Sequence, residues 1–294
     1  CQLRPRKTKF VEIFRTTPTN TVCPNFYVLM HADGCLFAPQ CSYCYLKSSL
    51  WYLRRPVAFD NVEDLLRQVS DWIARDELET YVLNAGNLSD SLTFEGPRPL
   101  VGQLVELFRS QAEAPGRPHE LLLVTKGGRA HAEPLLQRPP CRNVVVSFSV
   151  NSRRAAQDHE KGAATVPDRL AAARDLLAAG WRVRMRIDPM ILGYDYAWIT
   201  EQVRELHPER VTLGTLRAEP NLERFVNGDL FAALAPAAGG KGLARYPWDD
   251  RLGLYRPAVR ALRRVCPVAL CEETPDMWDA LGLDKDARCC NCGQ

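Results

Sequence analysis

Three cysteines, Cys35, Cys41 and Cys44, lie within a stretch of ten residues. Cysteine thiolates on a short loop are the usual ligands of iron–sulfur clusters, because a cluster needs several ligands that converge on one point. Three protein ligands leave one iron open, and an open iron can chelate the amine and carboxylate of a substrate. Gly34 and Pro39 suit a loop that folds back on itself. The spacing therefore predicts a [4Fe–4S] cluster.

Two other interpretations of this loop stay open at the level of residue spacing. The three thiols could form a zinc knuckle, with Cys23 or a more distant cysteine as the fourth ligand. They could also be unrelated buried thiols.

A second group of cysteines lies near the end of the chain, where Cys289, Cys290 and Cys292 follow Cys266 and Cys271. Adjacent cysteines cannot easily bridge each other, so Cys289 and Cys290 are expected to face different partners. Three thiols so close together suit a soft ion. The group could bind a second iron–sulfur cluster, zinc or As(III), it could supply a hydrogen donor, or it could have no function.

The composition places limits on the class of protein. Eleven cysteines in 294 residues, in tight groups, favour metal or redox use in a reducing compartment over a disulfide framework, and this predicts a cytoplasmic protein. A formal charge of +3 does not by itself argue for nucleic acid. No apolar run is long enough to span a bilayer, and no signal-peptide pattern is present. The chain opens at Cys1, so we expect the natural N-terminus, with any targeting signal, to lie upstream.

Alternating strand and helix patterns must position these groups. Helix patterns follow the strand patterns. Asp60 with Glu63 resembles a capping box at the start of one predicted helix. Gly180 suits the C-terminus of another. Six β-then-α steps predict a parallel sheet with helices outside, as an open sheet or a partial barrel. The six predicted strands cover residues 26–31, 80–84, 121–125, 143–149, 182–187 and 210–214.

The alternation stops after Gly214, which divides the chain into three predicted parts. These are an N-terminal segment (1–25), a core (26–216) and a covering segment with a Cys-rich tail (217–294). Residues 236–242, rich in Gly and Ala, predict a loop, and residues 252–265 predict a helix. We expect the tail to fold over the open end of the core, with Trp278 and Leu281 as anchors.

Three cysteines after the first strand of a βα repeat resemble the radical S-adenosylmethionine (SAM) superfamily. The usual spacing there is C-x3-C-x2-C, whereas this chain has C-x5-C-x2-C. The resemblance implies a partial (β/α)6 TIM-type barrel of the radical SAM type, here with a C-terminal Cys-rich extension. It also implies SAM as a cofactor and an external electron donor of the flavodoxin or ferredoxin type.

The segment Cys41–Leu46 is similar to the cluster loop of the spore photoproduct lyase family, where a tyrosine lies on each side of the last cysteine. The resemblance runs over residues 26–214, and further agreements lie at strand ends, in residues 87–90, 124–126, 147–151 and 182–189.

This resemblance implies roles for particular residues. Tyr43 and Tyr45 would help to return a hydrogen atom, and the backbone of Tyr45 would meet adenine. The remaining SAM contacts would come from strand ends, where barrel sites are built. They are Ser89 or Asp90 and Lys126 for the amino and carboxylate groups, Ser147, Ser149 and Asn151 for the ribose or carboxylate, and Asp188 at the end of the fifth strand.

One departure from the family limits the prediction. The lyase has a cysteine as hydrogen donor just before its Ser-Asp pair, whereas this chain has Asn87 or Leu88 there. Neither side chain readily gives a hydrogen atom to a carbon radical, so the chain is lyase-like. Its substrate could be a DNA lesion, a peptide, a small metabolite or a metalloid; for DNA, Arg153-Arg154 and Arg263-Arg264 could meet phosphate.

Two further functions remain as alternatives. One is transfer of the 3-amino-3-carboxypropyl group of SAM to a thiol-bound substrate such as As(III). The other is a non-enzymatic metal-binding module.

Overall fold

The computed structural model describes residues 1–15, 17–226, 229–237, 242–287 and 290–293. The strands are β1 (Gln2–Arg4), β2 (Val11–Phe14), β3 (Phe26–Leu29), β4 (Ala32–Asp33), β5 (Val57–Phe59), β6 (Val82–Asn84), β7 (Glu120–Thr125), β8 (Val144–Val150), β9 (Arg182–Met190), β10 (Val211–Thr215), β11 (Arg217–Ala218), β12 (Ala244–Arg245) and β13 (Val268–Leu270). The α-helices are α1 (Leu46–Ser49), α2 (Val62–Ile73), α3 (Val101–Phe108), α4 (Arg129–Leu136), α5 (Arg153–His159), α6 (Val166–Ala178), α7 (Ala197–Leu206), α8 (Trp248–Leu262) and α9 (Pro275–Ala280).

Six parallel strands form the core, and they lie side by side in their order along the chain, β3, β6, β7, β8, β9 and β10. Apolar side chains of the strands pack against the helices that connect them, as in other parallel sheets that are buried on both faces. This order confirms the six predicted β-then-α steps.

The sheet is wider than the sequence predicted. A seventh parallel strand, β13, pairs with β10, and β2 pairs antiparallel with β3 at the opposite edge. An isolated bridge, in which the Val22 N–H donates to the Glu273 carbonyl at 2.7 Å, joins the chain before β3 to the chain after β13. The two edges of the sheet are therefore linked.

The strand register sets which side chains face the interior of the barrel. Ser147 pairs with Arg184 and Ser149 with Arg186, so these four side chains share the inner face. On β10, Val211 and Leu213 pack outward into the main core, which leaves Thr212 on the inner side.

The described tail residues 290–293 lie inside the barrel. The Ser147 hydroxyl donates to Asn291 Oδ1 at 2.7 Å, and Arg184 donates to the carbonyls of Asn291 at 2.7 Å and Gly293 at 3.1 Å. Arg184 is near the start of β9, so these tail residues lie in the half of the barrel where the parallel strands begin. We call this the lower half. The expectation that the tail covers the open end is therefore wrong for these residues, although Trp278 is buried in the core.

Local details differ in part from the sequence prediction. Helix α2 follows Asn61 rather than Asp60, because the Asn61 side chain ties the helix start to Arg6 by accepting from its N–H at 2.9 Å. Gly180 has φ +86° and ends α6 as expected. The predicted covering segment contains the antiparallel pair β11 and β12, and part of its Gly-rich loop (238–241) lies outside the described residues.

Candidate functional site

The cysteine loop is fastened to the segment that follows β8. The Ser42 N–H donates to the His159 carbonyl at 2.9 Å, and the Ser42 hydroxyl lies 2.8 Å from His159 Nδ1. Gly162 fits closely under the same loop, because a Cβ added there would lie 2.3 Å from the Pro39 carbonyl oxygen. These contacts fix the position of the loop, including the longer first interval of the C-x5-C-x2-C motif.

The three thiols fit an iron–sulfur cluster better than a single metal ion. Burial raises the pKa of Cys35 and Cys44, and the charge of Cys41 raises both further, so the three groups lie within electrostatic reach of one another. In a tetrahedral zinc site the sulfurs would be only about 3.8 Å apart. Among the described residues, no three Cys, His, Asp or Glu side chains are close enough to hold one ion. In a cluster each thiolate binds a different iron, so the three sulfurs need not converge on a single ion.

A buried carboxylate, Glu160, lies at the centre of the polar contacts beside the cluster loop. It accepts hydrogen bonds from Lys126 Nζ at 3.1 Å, Asn151 Nδ2 at 3.3 Å, Arg169 and the Tyr43 hydroxyl. Burial alone would raise the pKa of Glu160, but the charges of Lys126 and Arg169 lower it to about 2. Two cations and one anion leave a net positive charge beside the loop, which offsets part of the rise that burial causes in the pKa of Cys41.

The two candidate catalytic tyrosines have different surroundings. The Tyr43 hydroxyl contacts Glu160 and lies 2.9 Å from Lys126 Nζ, so this ring is held beside the charged group. Tyr45 is 41% exposed, and its hydroxyl donates to the Asn87 carbonyl. Tyr45 therefore lies over the end of β6, next to the position where the lyase family has its hydrogen donor.

Ser89 belongs to a buried chain of hydrogen bonds that ends at Arg98. Arg98 Nη2 lies 2.9 Å from His31 Nδ1, and a guanidinium can only donate, so Nδ1 accepts and Nε2 carries the proton. The His31 Nε2–H then points to the Ala85 carbonyl at 3.0 Å and to Ser89 Oγ at 2.9 Å. The Ser89 hydroxyl is already engaged with the protein.

Asp90 is fully engaged as well. One carboxylate oxygen accepts from the Leu92 N–H and the Thr125 hydroxyl, and the other accepts from the Lys126 N–H, at 2.8–3.0 Å. Asp90 thereby fixes the backbone at the end of β7, and through it the direction of the Lys126 side chain.

The three residues predicted on and directly after β8 lie at different depths along the barrel axis. Ser147 is bound to Asn291 of the tail, and Asn151 Nδ2 donates to the Pro189 carbonyl at 3.0 Å as well as to Glu160. Between them, Ser149 Oγ has no hydrogen-bond partner within the part of the chain that the structure describes. Ser149 is therefore the β8 hydroxyl best able to accept a ligand, and we leave Ser147 out of the proposed SAM site.

Asp188 is part of a second buried charge network, formed with arginines of β9 and β11. It accepts from Arg217 at 2.8 Å and from Arg186. Burial would raise the pKa of Asp188, but these two guanidinium groups hold it well below its usual range. Both arginines also contact Cys271 Sγ, from Arg217 at 3.1 Å and from Arg186 at 3.4 Å.

The second predicted metal site is not brought together as the sequence suggested. Cys289 lies outside the described residues. Cys290 and Cys292 enter the barrel with the tail, where Asn84 Nδ2 lies 3.6 Å from Cys292 Sγ. Of the predicted phosphate-binding arginines, Arg153 instead stacks on the ring of Trp198 at 3.8 Å.

The sequence analysis missed Glu160, Arg169 and His31. Glu160 and Arg169 belong to the segments between β8 and β9, where no strand end marked them. His31 lies two residues after β3, and its place near a strand end was the one signal that could have drawn attention to it.

The fold and the strand-end residues together define a partial barrel of the radical SAM type. The profile of the family described as spore photoproduct lyase matches residues 4–213. The chain belongs to the spore photoproduct lyase family.

Two curated spore photoproduct lyases are similar in sequence. The protein from Clostridium acetobutylicum is 24% identical over 169 residues, which cover 56% of this chain and 47% of that protein. The protein from a Geobacillus species is 28% identical over 229 residues, which cover 75% of this chain and 63% of that protein. The matched region thus spans less than two thirds of each relative.

Solved structures show the same fold. Spore photoproduct lyase complexed with dinucleoside spore photoproduct aligns with 91% of this chain and 80% of its own, with a TM-score of 0.72 and 20% identity. A variant of spore photoproduct lyase with bound AdoMet and dinucleoside spore photoproduct aligns over the same shares with a TM-score of 0.71 and 19% identity.

Proposed function

We propose that this protein is a radical SAM enzyme that holds a [4Fe–4S] cluster with Cys35, Cys41 and Cys44 and cleaves SAM reductively. The observation that carries the proposal is the position of the three thiols, on a loop fastened at His159 and Gly162 above the polar end of a six-stranded parallel barrel. The family of the chain supports it.

When bound, the cluster would supply the electron for reductive cleavage of a carbon–sulfur bond of SAM, and a flavodoxin- or ferredoxin-type protein would be the source of that electron. Lys126 provides a cation for the SAM carboxylate, and Asp90 and Glu160 hold it in position. Ser149 offers a free hydroxyl from the barrel wall. Tyr45 covers the end of β6 and limits the access of water to the radical.

For the substrate we propose a nucleic acid lesion as the first class to test, since solved relatives bind a dinucleoside spore photoproduct. The position of the lyase's thiol donor is taken by Asn87 or Leu88, and the Asn87 carbonyl accepts from Tyr45. The hydrogen-atom route of this chain therefore differs from that of the lyase, and its product on such a lesion is expected to differ as well.

The test uses protein purified without oxygen, given dithionite and SAM, with the products separated by chromatography. We expect about four irons for this site and formation of 5′-deoxyadenosine. Cys41→Ala is expected to abolish both. Cys141→Ala is the matched control, because Cys141 is buried in the helix-facing core. Absence of SAM cleavage from iron-loaded protein would contradict the proposal.

The same experiment separates the two alternatives. Methylthioadenosine as the product would indicate 3-amino-3-carboxypropyl transfer, with As(III) as the first acceptor to test. Bound metal with no cleavage of SAM would indicate a metal-binding module.

A further inference from the structure

Four cysteines outside the cluster loop converge inside the barrel, from three separate parts of the chain. Cys23 precedes β3, Cys271 directly follows β13, and Cys290 and Cys292 belong to the tail. The bridge between Val22 and Glu273 places Cys23 beside the segment that contains Cys271. The folded chain thus groups thiols that are far apart in sequence.

Packing links Cys23 directly to the tail. Cys23 and Cys292 both pack against one small cluster of buried side chains on and directly after β3, formed by Phe26, Val28 and Met30. The tail is held at this depth by the bonds of Asn291 and Gly293 to β8 and β9. Cys23 and Cys292 therefore line the same region of the interior.

Two of these sulfurs lie within reach of nitrogen hydrogen-bond donors. Cys271 Sγ lies 3.1 Å and 3.4 Å from guanidinium nitrogens of Arg217 and Arg186. Cys292 Sγ lies 3.6 Å from the Asn84 amide nitrogen. Hydrogen bonds from such donors stabilise thiolates and the sulfide ions of iron–sulfur clusters.

Electrostatic coupling ties the four thiols together. Burial raises the pKa of Cys23, and the charges of Cys292, Cys271 and Cys290 raise it further, in that order. Burial likewise raises the pKa of Cys292 to about 12, with Cys290 as the next cause.

Polar atoms in the same region lack partners. Asn291 Nδ2, Thr212 Oγ1 and Arg186 Nε are buried and make no hydrogen bond within the described ranges. Asn291 and Thr212 are each only 1% exposed. Buried polar atoms are almost always satisfied in folded proteins, so three together beside a group of thiols indicate a ligand that accepts hydrogen bonds.

We propose that Cys23, Cys271, Cys290 and Cys292 bind a second iron–sulfur cluster inside the barrel. Four thiols satisfy the ligand count of either a [2Fe–2S] or a [4Fe–4S] cluster, and inorganic sulfide is the acceptor that the three unpartnered groups need. A single zinc ion fits less well, because no three described ligands approach closely enough for one ion. The proposal is independent of SAM chemistry at the first cluster.

The test removes the first cluster and measures what remains. A Cys35→Ala, Cys41→Ala, Cys44→Ala triple variant is purified without oxygen, reconstituted with iron and sulfide, and assayed for iron, sulfide and zinc. We expect it to retain between about two and about four irons with matching sulfide, and to give an electron paramagnetic resonance signal after reduction. Adding Cys23→Ala and Cys271→Ala should remove both the metal and the signal.

The matched control adds Cys141→Ala and Cys266→Ala to the triple variant instead. Cys266 is buried in the main core, as is Cys141, so loss of metal from folding damage would appear in this control. Circular dichroism of each variant monitors folding. The unmutated protein gives a second test. With two clusters, its electron paramagnetic resonance spectrum after reduction should contain two overlapping signals. A folded triple variant without iron and sulfide, or one that contains only zinc, would overturn the proposal even if the unmutated protein cleaves SAM.

Discussion

At the scale of single residues, the candidate site depends on a carboxylate that no sequence motif marks. Glu160 is buried and contacts two cations, Lys126 and Arg169, together with Tyr43. A buried charge without its counterion is costly, so this group fixes the position of Lys126 more firmly than a surface ion pair could. Burial raises the pKa of the Cys41 thiol, and the charge of Lys126 offsets part of that rise.

We expect Glu160→Gln to lower the free energy of unfolding by about 3 kcal/mol, because it leaves two cations without their buried counterion. Urea denaturation of the metal-free protein would measure this loss. Asp175→Asn is the control: Asp175 pairs with the exposed Arg129 at 2.6 Å, and a surface pair contributes about 1 kcal/mol or less. Equal effects of the two substitutions would contradict the role given to Glu160.

His31 predicts a pH dependence of stability. Burial and then the charge of Arg98 lower its folded-state pKa to about 3, whereas the unfolded chain protonates at its ordinary value of 6.5. The stabilising contribution is thus complete above pH 6.5 and is lost as the pH falls towards 3. Between pH 7.5 and 5.5 we expect a loss of about 1.4 kcal/mol from this residue.

Urea denaturation of the metal-free protein at pH 7.5 and pH 5.5 would measure this loss. His31→Gln can accept from Arg98 and donate to Ala85 but cannot titrate, so the part of the pH dependence that is due to His31 should be absent in this variant. The same pH dependence in His31→Gln and the unmutated protein would show that another group causes it.

At the scale of elements, the six β-then-α steps and the cluster loop could be predicted because each leaves a local pattern. The apolar strand runs and the three close cysteines are such patterns. Glu160 and Arg169 could not be found in this way, since they lie on different segments and meet only through tertiary packing. The short strands β2 and β13, of four and three residues, were not predicted either.

The cluster loop yields a prediction about close packing. A Cβ at residue 162 would lie 2.3 Å from the Pro39 carbonyl oxygen and 2.6 Å from backbone atoms of Ala38. Gly162→Ala should therefore push the loop away from its support and separate the thiols. We expect loss of most of the iron that this loop binds after reconstitution, with the fold retained.

Iron content and circular dichroism would be measured side by side for this variant. Gly253→Ala is the matched control, because nothing lies within 4 Å of a Cβ at that position in α8. There the substitution should leave iron binding unchanged and stabilise the helix by about 0.5–1 kcal/mol. Full iron loading of Gly162→Ala would show that the loop does not depend on this contact.

At the scale of the whole molecule, segments outside the six βα units extend both edges of the sheet and occupy part of the barrel interior. β2 and β13 extend the sheet, and the tail enters its lower half. Among the described residues, no helix is both long and apolar enough to cross a membrane. The tail was predicted to cover the open end of the barrel. Its actual position could not be predicted, because Ser147 on β8 and Arg184 on β9, which bind the tail, are far from it in sequence.

This arrangement predicts that the tail stabilises the barrel even without metal. In a chain that ends at Ala287, Arg184 would lose its bonds to the carbonyls of Asn291 and Gly293, and Ser147 would lose Asn291. Arg184 would keep Glu209 at 2.8 Å, so its charge would stay paired. Each lost bond from a charged donor contributes about 1.5–3 kcal/mol, and we therefore expect a loss of about 3 kcal/mol or more.

Urea denaturation of metal-free protein would test this prediction, because without metal the difference reports packing alone. Lys285→Ala is the control: it removes an exposed pair with Asp279 at 2.7 Å in the same C-terminal region and leaves the tail in place. An unchanged unfolding midpoint in the truncated chain would mean that the lower barrel is stable without the tail. The bonds of Arg184 and Ser147 to residues 290–293 would then contribute no net stability.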